Sequence, residues 1–337
     1  MLRSKNGSVL IFAIWTLSLL VVFASYVGLR IRQRAEVIAR LEERSLLRNL
    51  VEAGVKRSIS IIKNDVMKNG IEPCLERKQG LLNNPVRFGK KELANGYFEI
   101  ERVDYNLSGE PLINGLDDEE AKINLNLSDW TVIKRLFQNV LVLKDAEATT
   151  LADAVVSWRD IGDANIKGFY SDEYYKRLQN PYEVKHAEFE SLDELLLLEG
   201  MTPEAYEKIL PFVTIYGSGQ VNFNTASRTV FLALGMDGVL VDKILQARRG
   251  VDGKEYTRDD VIFTRAFDLA SDVKKTVELT KEEIKQIDDL NALQALSVNS
   301  LVYRINVKAI LPKKNKTLNV SCIYNALEGN IDYWNEK

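Results

Sequence analysis

The sequence predicts an α+β protein in which a long N-terminal helix packs on an antiparallel sheet and a large all-α domain is inserted into the sheet. Three observations predict this architecture. An apolar segment near the start of the chain continues into an amphipathic helical pattern. Segments with the alternating pattern of β-strands follow this helix and recur at the end of the chain. Between the two sets of strands lies a region of short helical runs with clear capping signals.

The first element is an apolar segment, residues 8–29, that carries no charged side chain. As a helix it would be about 33 Å long, which is enough to cross the hydrocarbon core of a bilayer. Membrane proteins usually carry an excess of cations on the cytoplasmic side of a spanning helix. Here cations flank the segment on both sides, so this rule does not fix its orientation. The flanking cations are Arg3, Lys5, Arg30, Arg32 and Arg34. Three interpretations stay open: a signal peptide cut near Ala24-Ser25, an uncleaved signal anchor, or a helix retained after a short basic leader is cut at Gly7.

Helical spacing continues beyond the apolar segment. Apolar residues from Val37 to Val66 fall on one stripe, and charged residues such as Arg40 and Lys56 lie on the other side. The pattern predicts one helix from about Ser8 to Met67, apolar all round in its first half and amphipathic in its second. Asn69-Gly70 is a typical stop signal for such a helix.

The strands are predicted from a change of period. Residues 97–106 are rich in aromatic and β-branched side chains, and residues 123–127 alternate between apolar and polar. We expect both to lie in a sheet on the amphipathic helix. A second alternating set, residues 303–324 with a last short strand near 331–334, closes the chain and needs sheet neighbours to be stable.

The region between these strands, from Ser128 to about Leu290, is predicted to be helical. Ser191 with Glu194 and Thr280 with Glu283 fit capping boxes, and Thr202 precedes a proline at the first helical position.

Composition limits the function. The 337-residue chain has a net charge of −3 and a pI near 5.6, which argues against a broad nucleic-acid-binding surface. One histidine and two cysteines leave little for catalysis or zinc binding. Cys74 and Cys322 have no partner at metal-ligand spacing. Their positions suit a single disulfide in an oxidising compartment, and two buried thiols are the alternative.

One stretch is more specific than the rest. Residues 220–250, QVNFNTASRTVFLALGMDGVLVDKILQARRG, resemble the V-N-x-N-T-A motif and following helix pair of the type II secretion minor pseudopilin K family. Three further stretches resemble the same family: residues 121–127 (AKINLNL), 157–178 (SWRDIGDANIKGFYSDEYYKRL) and 189–211 (FESLDELLLLEGMTPEAYEKILP). With the glycine-terminated leader and the closing strands, the resemblance covers nearly the whole chain.

This resemblance implies a pilin-like fold with an inserted domain similar to SAM and helix-hairpin-helix domains. The implied division is a leader at 1–7, a membrane segment at 8–29, a pilin-like α/β part at 30–127, the helical insertion at 128–290 and closing strands at 291–337. The family role is that of a non-enzymatic subunit at the tip of the periplasmic pseudopilus, which it initiates or caps with minor pseudopilins I and J. The implied partners also include the major pseudopilin, the prepilin peptidase and the inner-membrane assembly platform.

The resemblance also assigns roles to single residues near the N-terminus. It implies cleavage between Gly7 and Ser8 and N-methylation of Ser8. Major pilin-like subunits carry a glutamate at the fifth mature position, where this chain has Phe12. A carboxylate in a bilayer is costly unless it is paired, and a terminal subunit has no neighbour above it to supply an amine. Phe12 is therefore predicted to mark a tip position.

A cluster of oxygen-bearing side chains suggests calcium. Asp160, Asp163 and Asn165 are closely spaced on a glycine-bearing stretch, with Asp172 and Glu173 a few residues later. In the family this acidic loop is associated with calcium, and the four acidic residues match it, although Ser157 stands where the family often has Asp. The alternative is a solvated loop in which Asp172 caps a helix.

The VNFNTA motif has two interpretations. The side chains of Asn222, Asn224 and Thr225 can cap the helix that begins at Ala226. Alternatively, residues 235–238 form a helix-hairpin-helix loop that binds a DNA phosphate, although Asp237 and the eleven acids against seven bases in residues 251–290 oppose this. The competing functions are accordingly a membrane-anchored DNA receptor and a minor pilin of a related type IV pilus.

Overall fold

The computed structural model describes residues 6–69, 80–159 and 175–336. Helix α1 (Asn6–Asn69) is a single helix of 64 residues, which confirms the predicted continuity of the apolar and amphipathic halves. The other helices are α2 (Pro85–Phe88), α3 (Trp130–Leu141), α4 (Asp145–Arg159), α5 (Pro203–Ile209), α6 (Arg228–Ala233), α7 (Gly238–Arg248), α8 (Leu269–Lys274) and α9 (Lys281–Ala292). The predicted capping boxes at Ser191 and Thr280 are confirmed; Ser191 caps a 3-10 turn and Thr280 caps α9.

An antiparallel sheet covers the second half of α1. The strands of this sheet are β1 (Lys91–Leu93), β2 (Gly96–Val103), β3 (Leu112–Asn114), β4 (Asp117–Asp118), β9 (Val302–Leu311), β10 (Lys316–Asn325) and β11 (Asn330–Glu336). They follow the order β1-β2-β9-β10-β11, with β3 paired to β2 and β4 paired to β9. The predicted α+β fold, a long helix on an antiparallel sheet closed by the C-terminal strands, is confirmed.

Helix and sheet share one apolar core. Val55 of α1, Ile100 of β2 and Ile305 of β9 are each at most 2% exposed. Gly54 lets the helix approach closely, because a Cβ there would lie 2.6 Å from Val307 Cγ1. Two ion pairs brace the ends of this contact: Arg48 with Glu336 at 3.2 Å, and Arg87 with the buried Asp65 at 2.7 Å.

The helices α3 to α9 build a second core in a separate helical body. Two short parallel ladders bound this body. Strand β5 (Ile123–Asn124) pairs with β6 (Val213–Thr214), and β7 (Val221–Asn222) pairs with β8 (Leu296–Ser297). The expectation that residues 123–127 lie in the sheet on α1 is therefore wrong. Their alternating pattern reflects burial of Ile123 and Leu125 in the helical body, a choice of partner that a short alternating run does not encode.

Candidate functional site

The exposed half of α1 is the first functional feature. Its apolar side chains face outward from Val9 to Leu29; Phe12 is 71% exposed and Trp15 is 74% exposed. Among the residues that the structure describes, α1 is the one helix whose length and composition allow it to cross a membrane. Since α1 begins at Asn6, the predicted cleavage bond between Gly7 and Ser8 lies in its first turn.

The second feature is an acidic junction, which we define as Asp117, Asp118, Glu119 and Glu120. Asp117 and Asp118 form β4 on the sheet, and the next two residues start a 3-10 turn that leads into the helical body. Asp118, Glu119 and Glu120 are all less than 9% exposed. A run of four acids is expected on a solvated surface, so its burial requires strong local partners.

Glu119 ties the sheet to the helical body. It accepts a hydrogen bond from Arg304 Nε of β9 at 2.8 Å and one from Thr214 Oγ1 of β6 at 2.6 Å, and it pairs with Lys122. Burial alone would raise the pKa of Glu119, but the Lys122 and Arg304 cations hold that pKa well below its ordinary value. The carboxylate therefore stays charged and paired on both sides of the junction.

Asp118 makes the second link. It accepts hydrogen bonds from Asn222 Nδ2 at 2.9 Å and from Thr225 Oγ1 at 2.5 Å, both in the VNFNTA motif. Burial raises the pKa of Asp118 to about 6, against the opposing effect of hydrogen bonds from Ser300, Thr225 and Asn222. The motif thus serves as a docking point for the sheet.

Glu120 completes the junction. Its carboxylate accepts from Ser218 Oγ at 2.7 Å and from the Leu301 backbone N–H at 2.9 Å. Through Glu120 the acidic junction also contacts the segment that follows β6 and the residue just before β9. Because the carboxylates of Asp118, Glu119 and Glu120 accept hydrogen bonds from donors on both sides of the junction, their arrangement fixes the orientation of the helical body on the sheet.

A separate contact between the sheet and the helical body involves Arg102, Tyr256 and Asp104. Arg102 of β2 donates to Tyr256 Oη at 2.6 Å, and that hydroxyl donates to Asp104. Tyr256 belongs to the loop after α7, so the second half of the helical body is also held on the sheet. Burial raises the pKa of Tyr256, which keeps its hydroxyl a donor.

The helical body contains an internal repeat. In each copy an asparagine side chain bonds both the backbone N–H and the backbone carbonyl of one phenylalanine, an arrangement that we call an asparagine bracket. The two brackets are Asn126 with Phe189 and Asn224 with Phe263. Asn224 Nδ2 donates to the Phe263 carbonyl at 2.8 Å and its Oδ1 accepts from the Phe263 N–H at 2.9 Å. Asn126 bonds the same two backbone groups of Phe189 at 3.0 and 2.8 Å. Each bracket follows a residue on a parallel ladder, so the segments INLN and VNFN build the same local structure twice.

The predicted helix-hairpin-helix loop at residues 235–238 is closed by its own bonds. Asp237 caps α7 through the Val239 N–H at 2.8 Å, and the Asp237 N–H donates to Gln286 Oε1 at 2.9 Å. The N–H groups of Gly235 and Met236 bond to carbonyls of α6. These amides are engaged within the protein, which disfavours phosphate binding at this loop.

Several predicted sites lie partly or wholly outside the described residues. The calcium candidates Asp160, Asp163, Asp172 and Glu173 fall there, as does Cys74. Cys322 is buried in the core between α1 and the sheet, and burial raises its pKa to about 12. In residues 6–69, 80–159 and 175–336, no group of three or more His, Cys, Asp or Glu side chains could hold a metal ion. The disulfide and the calcium site stay predictions.

These features define a class of protein. A helix whose first half is apolar and exposed and whose second half is covered by an antiparallel sheet is a pilin-like architecture, and here it carries a large helical insertion. The same fold occurs in a chain of the crystal structure of the GspK–GspI–GspJ complex from the enterotoxigenic Escherichia coli type 2 secretion system. The match has a TM-score of 0.62 and 15% identity, and it covers 91% of this chain and 99% of that chain.

Sequence comparison points to one family within this class. Residues 112–218 match the family model for the type II secretion system (T2SS) protein K. The type II secretion system protein K of Aeromonas hydrophila is 31% identical over 124 residues, which is 34% of this chain and 38% of that protein. The chain thus spans less than half the length of this curated relative. The resemblance to the protein K family predicted from the sequence is confirmed.

Sequence reasoning missed the acidic junction and the internal repeat. The run of acids gave no local sign of burial, since its partners Thr214, Asn222 and Arg304 are about 90 or more residues away. The repeat had a signal: aligning INLN at 123–126 with VNFN at 221–224 shows the shared asparagines.

Proposed function

We propose that this chain is a minor pseudopilin of a type II secretion system, anchored in the inner membrane with its body in the periplasm. One observation carries the proposal: the exposed apolar half of α1 runs without a break into the half that packs under the sheet. Such a helix joins membrane and body rigidly. The protein K match and the shared fold support this role.

The finer proposal places the chain at the tip of the pseudopilus. Its partners are minor pseudopilins I and J, in line with the GspK–GspI–GspJ complex whose structure shares this fold. Phe12 in place of a carboxylate supports a position with no subunit above it. The major pseudopilin and the inner-membrane assembly platform complete the set of partners.

The role is assembly and not catalysis. The acidic junction and the Arg102-Tyr256 contact hold the helical body in one orientation on the sheet. A rigidly held insertion gives the tip a bulky end. Calcium bound by Asp160, Asp163, Asp172 and Glu173 is proposed to add to the stability of this insertion.

Processing of the N-terminus tests the membrane part of the proposal. The full chain is produced in cells with and without a prepilin peptidase, and its N-terminus is identified by mass spectrometry. With the peptidase, the mature chain starts at Ser8 and carries an N-methyl group; without it, the chain keeps its first seven residues. A mature chain that starts beyond Leu20 would show a removed signal peptide and end the proposal.

Assembly tests the tip. The full chain is produced together with minor pseudopilins I and J of the same system, and the three are purified through a tag on J. A stoichiometric complex is expected. Filaments in which copies of this chain lie along the length, and not at one end, contradict the tip position.

A further inference from the structure

Three cations lie directly beyond the apolar segment of α1. These are Arg30, Arg32 and Arg34, and the distance along the helix axis from Arg30 to Arg34 is about 6 Å. The headgroup layer on each side of a bilayer is about 5–7 Å thick. The first carboxylate after the start of the apolar segment is Glu36, about 9 Å beyond Arg30. The arginines therefore fall in one headgroup layer, and no carboxylate of this helix lies within that layer.

Two of these arginines share a helix face with an aromatic ring. Tyr26, Arg30 and Arg34 follow each other at four-residue spacing, which aligns them along one side of α1. The Arg30 guanidinium lies 5.2 Å from the centre of the Tyr26 ring, and Tyr26 is 53% exposed. Tyrosine is favoured at the membrane–water interface, so this ring marks the depth at which the arginines sit.

Arg32 points in a different direction. It pairs with Glu36 at 3.6 Å, and both side chains are more than half exposed. Its charge is partly offset by that carboxylate. Arg30 and Arg34 are thus the cations on the Tyr26 face that are available to bind a ligand. About one helical turn separates them.

We propose that Tyr26, Arg30 and Arg34 form a binding site for the phosphate of an anionic phospholipid, in the leaflet that faces the globular body. This inference rests on the proposed membrane anchoring of α1. Guanidinium groups bind phosphate oxygens through paired N–H donors, which a point charge does not match. A zwitterionic headgroup carries a cation that neutralises its own phosphate. An anionic headgroup has no such cation, so the arginines can neutralise its phosphate.

Two features of the site favour an anionic phospholipid as its ligand: the adjoining apolar surface of α1 and the positive charge of the arginines. The site continues the apolar surface of residues 8–29, where acyl chains lie against the helix, and it has the charge complementary to an anionic headgroup. The lipid would fix the height of α1 in the bilayer.

Native mass spectrometry of the full chain tests the site. The protein is held in mixed micelles with equal amounts of phosphatidylglycerol and phosphatidylcholine, and retained lipids are counted. Wild type is expected to retain phosphatidylglycerol about tenfold or more over phosphatidylcholine, since each interfacial arginine contributes about fivefold. The double variant Arg30→Gln/Arg34→Gln is expected to lose most of this preference.

The matched control is Arg40→Gln/Arg44→Gln, which removes the same charge at the same spacing about 15 Å farther from the membrane. It is expected to retain the preference within about twofold. An equal loss in both double variants would show a diffuse charge effect, and a preference that survives in Arg30→Gln/Arg34→Gln would show another site; each overturns the inference. Loss of the preference in excess inorganic phosphate would show a free-anion site and overturn it as well.

Alkaline extraction of membranes separates this inference from the proposed function. If the wild-type chain stays in the membrane but shows no lipid preference, the lipid site is wrong and the anchor stands. If the chain is extracted with the soluble proteins, both are wrong.

Discussion

Asn224 holds the backbone of Phe263 from both sides, with its Nδ2 2.8 Å from the carbonyl oxygen and its Oδ1 2.9 Å from the amide nitrogen. The same amide also donates to the Val298 carbonyl at 2.9 Å. Asn224 is fully buried, so one side chain satisfies three backbone groups that would otherwise be buried without partners. These groups belong to segments that meet just before the chain returns to the sheet.

Replacing Asn224 by alanine should therefore destabilise the protein by about 3 kcal/mol or more, because each buried backbone group left without a partner costs about 1–3 kcal/mol. Urea unfolding monitored by circular dichroism measures the change. Asn330→Ala, on the exposed start of β11, is the control and should change stability by less than about 0.5 kcal/mol. Similar values for the two variants would contradict the bracket.

The acidic junction predicts a pH dependence. Burial raises the pKa of Asp118 from 3.8 to about 6, so the native state favours the protonated carboxyl. This contribution to stability is present below about pH 4 and is lost as the pH rises through about 6. From pH 4.5 to pH 7.5, wild type should lose about 2 kcal/mol of stability relative to Asp118→Asn.

Glu119 has a lowered pKa and therefore adds stability above about pH 4.5 in both wild type and Asp118→Asn. The difference in unfolding free energy between these two proteins does not contain this contribution. The control is Leu327→Ala, at a side chain that is 68% exposed. Because this substitution removes no titratable group, its stability difference from wild type should not change with pH. A flat difference for Asp118→Asn over the same range would refute the raised pKa.

The close approach of α1 to the sheet predicts the effect of a small added group. Alanine favours a helix over glycine by about 1 kcal/mol, but a Cβ at Gly54 would meet Val307 Cγ1 at 2.6 Å. Overpacking of this kind costs about 1–3 kcal/mol, so Gly54→Ala should destabilise on balance. Adding Val307→Ala should recover part of the loss, and Gly28→Ala, with no atom within 4 Å, should not destabilise. Thermal melting of the full chain in detergent measures all four proteins.

The tip position predicts that a carboxylate is harmful at residue 12. An unpaired carboxylate inside the bilayer costs up to about 3 kcal/mol, so Phe12→Glu should lower secretion by complemented cells while Phe12→Leu supports it normally. Membrane levels of both variants are measured alongside secretion. Normal secretion with Phe12→Glu at a normal membrane level would mean that a neighbouring amine is available, which a terminal subunit does not have.

The calcium prediction is tested by chelation. If Asp160, Asp163, Asp172 and Glu173 bind calcium, EDTA should lower the melting temperature by about 5 °C, since a ligand at a hundredfold of its dissociation constant stabilises by about 2.7 kcal/mol. The variant Asp160→Asn/Asp163→Asn should melt low with or without EDTA. An unchanged melting temperature of the wild type in excess EDTA would remove calcium from the proposal.

Much of the fold follows from local patterns. The helix that continues from residue 8 past Val66, the strands near Tyr97 and Tyr303, and the caps at Ser191 and Thr280 were all predicted correctly because each signal depends on neighbours within a few residues. The partner of residues 123–127 was predicted wrongly, since a two-residue ladder has no pattern that names the strand it pairs with.

By itself, the sequence determined a long helix with an uncharged first half, a sheet split by a helical insertion, and the family that this order resembles. Only the tertiary structure decided that three of four consecutive acids, Asp118 to Glu120, would be buried between the two bodies and that Asn126 and Asn224 would act as equivalent brackets. The physical reason is distance along the chain. Apolar runs, strand alternation and helix caps are set by adjacent residues, whereas the charge of Glu119 is stabilised by Arg304, a residue 185 positions away.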